Sequence, residues 1–376
     1  MARIAFATYF FRYPLGGMVS WALQYLLGIR ASGHDICLLE RADYPDAFYC
    51  PDRRVMTDDP SSGLRKLVPV LEALDLGKWR LVDRFGRGYG MSDLQFREFF
   101  RSADLLIDGG NHGAWLPFVN DGQKTMLIDG EPGYTQIRWE AGHAKPLDFD
   151  LYFTNGMLLG TPSSTAPTAG KHWHRVCNPA MPGFFSPAPS PRGSAWTTVM
   201  NWQSHKVVEY GGRAYGQKDV EFQKVLDLPA RTRFKLSAAI SGNAPLDELD
   251  KSGWNVEDAQ QVTRTLEGYK NHIRGSRGEF SVCKNVFVAL RTGWFSDRSA
   301  AFLASGRPVI LQDTGFSEVL PTGEGLLSFG SAEEAASALE AVESDYERHS
   351  VKARELAEAY LAADKVLAVM IETALR

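Results

Sequence analysis

The chain has 376 residues, of which 44% are hydrophobic and 23% charged, with a formal net charge of -4. That length exceeds one ordinary core and suits two domains, and the composition is that of a globular protein. Lys and Arg are spread along the chain, with no basic block and no acidic tail. This predicts no nucleic-acid partner, and no run of about eighteen apolar residues is present to span a membrane.

The opening MARIAFATYFFRYP lacks a secretory leader's charged start, long apolar centre and small-residue cleavage site. It reads as a first strand, and a cytoplasmic protein is expected. The loop FRYPLGG leads into a stretch with apolar residues at helical spacing, which stops at Gly33, and DICLLE is the next strand. Strand, helix and strand within about forty residues are the signature of a parallel sheet. The pattern continues with helix 62–76, strands 79–83, 104–108, 125–129 and 150–154, and helix 92–102.

Composition then changes. Residues 160–170 are small and polar, and 178–194 (NPAMPGFFSPAPSPRGS) are too rich in proline for regular structure. After this linker the alternation restarts, with strands 196–202, 234–240, 279–284, 308–313 and 325–330. Helices are expected over 218–226, 256–274 and 297–305, and a helical tail from about Ala332 to Arg376. The expected architecture is α/β, with two doubly wound Rossmann-like domains facing across a cleft. The first spans 1–185 and the second 186–357. Ligands of such sheets bind beyond the carboxyl ends of the strands. Cys37, Cys50, Cys177 and Cys283 are far apart without a CxxC, so reduced thiols and no zinc site are expected.

Candidate site residues cluster at those strand ends. Gly16 and Gly17 open the first helix, where backbone can approach an anion, although many helices start with glycine. Lys218 lies at a helix start, where a bound anion would offset the unfavourable dipole and an ordinary solvated lysine is the alternative. Lys284 ends a strand. Arg298 and Ser299 fall in the first turn of the next helix, and Asp313, Thr314, Gly315 and Phe316 follow the next strand. Together they suggest a rim for an anionic ligand. In the first half, Asp108 and His112 (with Asn111) stand at one strand end as candidate acid, base or hydrogen-bond groups. Asp129 and Glu131 stand at the next, where a carboxylate could accept a hydroxyl proton. His172 and His174 in KHWH make only a weak metal signal.

These stretches resemble the GT-B glycosyltransferases, especially the family-four, "group 1" type. YPLGGMVSWALQYLLGIRASGHDICLLE looks like that group's glycine loop and helix, and ADLLIDGGNHG like its strand-end histidine motif. FLASGRPVILQDTGFSEVL is similar to its closing motif, with Gly315 and Glu318 in register. The resemblance implies that Lys218 holds a donor diphosphate, that Asn201 stands where an arginine is usual, and that His112 points at the donor sugar. It also implies that the last helix, about 358–376, packs back on the first domain. The group's paired glutamates are absent, because their positions hold Gly293 and Ala301. The resemblance therefore implies a metal-independent sugar transfer from a nucleotide-diphosphate donor to a small-molecule or glycan hydroxyl. No cofactor is expected besides the donor substrate. A nucleotide-sugar epimerase, or a degenerate protein that only binds nucleotide sugars, is the alternative.

Overall fold

The computed structural model describes residues 1–188 and 192–376. Residues 189–191, part of the expected proline-rich linker, lie outside the described residues. The strands, in chain order, are β1 (Arg3–Ala7), β2 (Asp35–Arg41), β3 (Phe48–Cys50), β4 (Val55–Thr57), β5 (Trp79–Val82), β6 (Gly88–Gly90), β7 (Leu105–Asp108), β8 (Lys124–Asp129), β9 (Leu151–Thr154) and β10 (Trp173–Arg175). Next come β11 (Trp196–Asn201), β12 (Val208–Tyr210), β13 (Arg213–Tyr215), β14 (Leu236–Ser241), β15 (Asn255–Asp258), β16 (Gly278–Ser281), β17 (Val309–Gln312) and β18 (Leu326–Phe329).

Eight strands form one sheet in the order β10-β9-β8-β7-β1-β2-β5-β6, and six form another in the order β15-β14-β11-β16-β17-β18. Every pairing within them is parallel except β5 with β6. The central strands are continuous apolar runs, such as IAFA in β1 and LLI in β7, because helices cover both faces. Register decides which residues meet at the strand ends. Ala7 pairs with Asp108, Asp108 with Leu127, and Asp129 with Thr154, so Asp108 and Asp129 emerge side by side.

Several elements differ from expectation. The helix expected over 256–274 is strand β15 followed by two helices, Ala259–Thr263 and Leu266–Gly275. Side chains that cap helices divide it. Asp258 accepts from the Gln260 N–H and Thr265 from the Gly268 N–H, so each restarts the helix. The helix expected over 218–226 is shorter, Lys218–Phe222, with a 3-10 turn after it. The tail is three helices, Ala332–Ser344, Tyr346–Leu356 and Ala363–Leu375. The hairpins β3–β4 and β12–β13 and the helix Tyr134–Glu140 were not anticipated.

The last helix buries Leu367, Met370 and Ile371 in the same core as Ile4, Phe6 and Leu26. At Gly28 a Cβ would lie 2.5 Å from Leu367 Cδ1, which is why the first helix carries glycine where the last one crosses it. The two halves of the chain also touch at the first helix, Gly16–Ala31, which packs on Leu266–Gly275. Beside this contact, Arg54 pairs with Asp258 at 2.6 Å and Arg264 with Asp52 at 2.8 Å.

Candidate active site

At the edge of the first sheet, Asp108 ends β7 and is fully enclosed. Its carboxylate accepts the N–H groups of Gly110 (3.0 Å), Asn111 (2.7 Å) and Gly113 (2.7 Å). It therefore shapes the turn that presents His112, which sits in left-handed backbone at φ +56°. The His112 ring stands on a concave wall. It is open to solvent yet surrounded by protein, which lowers its pKa, while Asp108 opposes that effect. The expectation of a directly catalytic Asp108 is thus corrected. All its hydrogen-bonding capacity on the turn side is spent on backbone, and its effect on chemistry goes through His112.

Asp129 is likewise internal. It accepts the Glu131 N–H and the side chains of Thr135 (2.7 Å) and Gln136 (2.9 Å). Burial raises its pKa, against those bonds. It fixes the start of helix Tyr134–Glu140 and meets the cavity wall with its oxygens already engaged. Glu131 is held across the cleft. Lys284 Nζ donates to both of its oxygens, at 2.5 and 2.6 Å, and His205 lies 3.5 Å away. Although burial opposes ionisation, the Lys284 ammonium and the contact with His205 hold the Glu131 pKa down at about 2. Lys284 and Glu131, expected on donor and acceptor sides separately, form one ion pair between the two sheets.

On the second sheet's edge, Lys218 is buried, with 7% of its surface exposed. No carboxylate or hydrogen-bond acceptor partners its ammonium among the described residues. Burial, then the charges of Arg298 and Lys284, push its pKa down to about 7. Arg298 is not free in the same way. Its Nε meets Glu279, Nη1 the Val199 carbonyl and Nη2 the Ser281 hydroxyl at 2.7 Å. The guanidinium is thus tied beneath the sheet edge and shapes the field at Lys218 from below. Ser299 is buried, with no partner for its hydroxyl.

The segment after β17 is mostly structural. Asp313 accepts from the Gly315 N–H (2.9 Å) and the Ser317 hydroxyl (3.0 Å). Thr314 donates to the Trp294 carbonyl at 2.7 Å, and Phe316 is core, edge-on to Phe295. The Gly315 N–H expected to meet a ligand is therefore occupied. Gly315 is required for another reason: φ is +95° and a Cβ would lie 2.5 Å from Leu158 Cδ1. Gly16 also serves packing, since a Cβ there would lie 2.4 Å from the Thr265 carbonyl oxygen and 2.5 Å from Tyr269 Cβ. At Gly17 the nearest atom would be at an ordinary 3.7 Å. Asn201, exposed at the end of β11, accepts from the Gln203 N–H at 3.2 Å.

Between the sheets lies a cavity of about 690 Å³. His112, Glu131, Asn178 and Asp297, a carboxylate that the sequence also offers for donor recognition, line it, and so do residues that the sequence alone left in the background: Tyr9, Arg138, Lys145, His205 and Trp294. Asp297 is half-buried at the first position of helix Asp297–Ala304, and its carboxylate has no side-chain partner among the described residues. Burial raises its pKa, opposed by Arg298. The two positions that lack the expected glutamates could not hold them. Gly293 has φ +74° with a Cβ 2.7 Å from the Leu158 nitrogen, and Ala301 is enclosed beside Phe302 and Leu303 in an apolar core. Asp297 is the carboxylate this segment turns to the cavity. His172 and His174 pack edge to face, and no group of three His, Cys, Asp or Glu residues suited to a metal occurs among the described residues.

No protein-family model matches the chain, and no curated protein matches it. Solved structures do. An alpha-glucosyltransferase in complex with UDP and a 13-mer DNA matches at TM-score 0.63 and 10% identity, over 100% of both chains. AviGT4, a glycosyltransferase of avilamycin A biosynthesis, matches at 0.57 and 12%, over 100% of this chain and 97% of that one. Anabaena HepE, in complex with UDP and glucose, matches at 0.56 and 12%, over 99% of both. One expectation is corrected by these findings. An enzyme of this fold holds DNA beside UDP, so the inference from charge pattern that nucleic acid is no partner does not stand. No helix is long and apolar enough to cross a membrane among the described residues. The chain has the two-sheet GT-B architecture of these glycosyltransferases from end to end.

Proposed function

We propose that this protein transfers a sugar from a nucleoside-diphosphate donor to a hydroxyl acceptor. The observation that carries the reading is Lys218, a buried ammonium without a counter-ion at the cleft edge of the second sheet. Keeping an uncompensated cation buried is unfavourable unless an anion arrives to pair with it. A donor diphosphate is such an anion, and enzymes of this fold were solved holding UDP.

In this reading Lys218 meets the diphosphate and stabilises the charge that grows on it as the sugar–oxygen bond breaks. Asp297 accepts hydrogen bonds from sugar hydroxyls against the half-buried ring of Trp294. His112, largely neutral at pH 7 because its pKa is lowered, accepts the proton of the attacking hydroxyl. Asp108 positions that ring through the turn it holds. The leaving-group charge is met by protein cations, without a metal.

Calorimetric titration with UDP tests the reading. The wild type is expected to bind UDP, and Lys218→Ala to weaken binding about tenfold or more, the worth of a charge-assisted contact. Equal affinity in both proteins would overturn it.

A further inference from the structure

The arginines that the fold buries or half-buries are otherwise provided for. Arg12, Arg41, Arg80, Arg277, Arg298 and Arg354 each lie within ion-pair distance of a carboxylate. Arg30 and Arg274 do as well, and Arg307 donates to main-chain carbonyls. Arg138 is the exception. It is half-buried in the last turn of helix Tyr134–Glu140 and has no carboxylate within 4 Å among the described residues. Its one hydrogen bond, to the His143 carbonyl, is 3.5 Å long, and its guanidinium lies 5.6 Å from the centre of the Tyr134 ring.

Arg138 lines the 690 Å³ cavity, and Lys145, from the loop that follows its helix, lines it too, also without a carboxylate partner among the described residues. The acidic groups nearby are engaged: Asp108 by backbone N–H groups, Asp129 by Thr135 and Gln136, Glu131 by Lys284. Asp297 comes from the other half of the chain and pairs with neither cation. The wall around these cations is apolar and aromatic, with Trp139, Tyr134 and Leu147. Such surroundings strengthen an ionic contact by lowering the local dielectric.

We propose that this wall binds the acceptor through an anionic group, a phosphate ester or a carboxylate, held between Arg138 and Lys145 while its hydroxyl faces His112. Resting on the transferase reading, this defines the acceptor class: a small hydroxyl compound with a negative charge, of a size to fit the cavity. A fork-shaped guanidinium suits both oxyanions, and a neutral sugar would leave Arg138 as unpaired as before.

The test is calorimetry on the full chain, with and without UDP, using glucose 6-phosphate, glucuronate and glucose as probes. Glucose 6-phosphate or glucuronate, or both, should bind at least about tenfold more tightly than glucose, with affinity falling as salt is raised. Which of the two binds better distinguishes phosphate from carboxylate. Arg138→Gln, and separately Lys145→Ala on an exposed loop, should remove most of this preference while UDP affinity stays at the wild-type value. Equal binding of glucose, binding of neither anion, binding only of a short DNA duplex, or an unchanged preference in both variants would overturn the proposal. Loss of UDP binding in the wild type would instead count against the transferase reading, because the two titrations are scored separately.

Discussion

Lys218 couples ligand binding to pH. Its folded pKa is about 7 against an ordinary 10.5, so the folded protein carries fewer protons than the unfolded chain between those values. Stability is therefore lowest, for this group, below pH 7 and rises as the pH climbs toward 10.5. Lys218→Met should melt higher than the wild type at pH 6, with the gain shrinking by pH 9. A diphosphate reverses the shift, so UDP binding at pH 8 should take up a proton, and affinity should fall as the pH rises from 7 to 9. Calorimetry in buffers of different ionisation enthalpy measures that uptake. Glu131 has the opposite sign. Its pKa is about 2 against an ordinary 4.5, so its contribution is full above pH 4.5 and lost as the pH falls toward 2. Glu131→Gln leaves Lys284 unpaired and should cost about 1–3 kcal/mol at pH 7, less than a fully enclosed pair because Glu131 keeps some solvent contact. Denaturant melts at pH 7 and pH 3 should show the difference closing in acid.

Two helices carry part of the contact between the halves, and one glycine sets their distance. Gly16→Ala puts a methyl 2.4 Å from a main-chain oxygen, which cannot rotate away, so about 1–3 kcal/mol of stability should be lost. Gly17→Ala, with nothing nearer than 3.7 Å, should be neutral or slightly stabilising, because alanine is the better helix former. Thermal melts of the pair separate close packing from a general dislike of substitution. Helix Asp297–Ala304 makes a second point. Ser296 caps it through the Arg298 N–H at 3.1 Å, leaving Asp297 next to the cap and facing the cavity. Asp297→Asn should keep UDP affinity within about twofold and lower turnover by about tenfold or more, since in the proposed reading it meets the sugar and not the diphosphate. A parallel loss of UDP affinity would contradict that role.

Across the whole molecule, the halves are joined by contacts of different kinds, from a shared apolar cluster that includes Leu127, Tyr134, Val286 and Leu290 to exposed ion pairs. The Gly16 packing is apolar and close. The pairs Arg54–Asp258 and Arg264–Asp52 join exposed side chains, and such pairs are each worth about 0–1 kcal/mol and weaken with salt. The double variant Arg54→Ala, Arg264→Ala should therefore melt within about 1–2 kcal/mol of the wild type.

The parallel sheets were legible because their strands are unbroken apolar runs between turn residues, a local signal that needs no partner to be read. The same locality made Lys218 and His112 visible, each at a strand or helix end beside glycines. What tertiary structure alone decided is which polar groups have partners. Arg298 and Lys284 look alike in sequence as free donors, yet Glu279 and Glu131 claim them from 19 and 153 residues away. Arg138 looks ordinary in sequence, yet the fold leaves it on the cavity wall without a carboxylate partner among the described residues. Charge compensation is a property of neighbours in space, and at separations of this size a linear chain does not specify it.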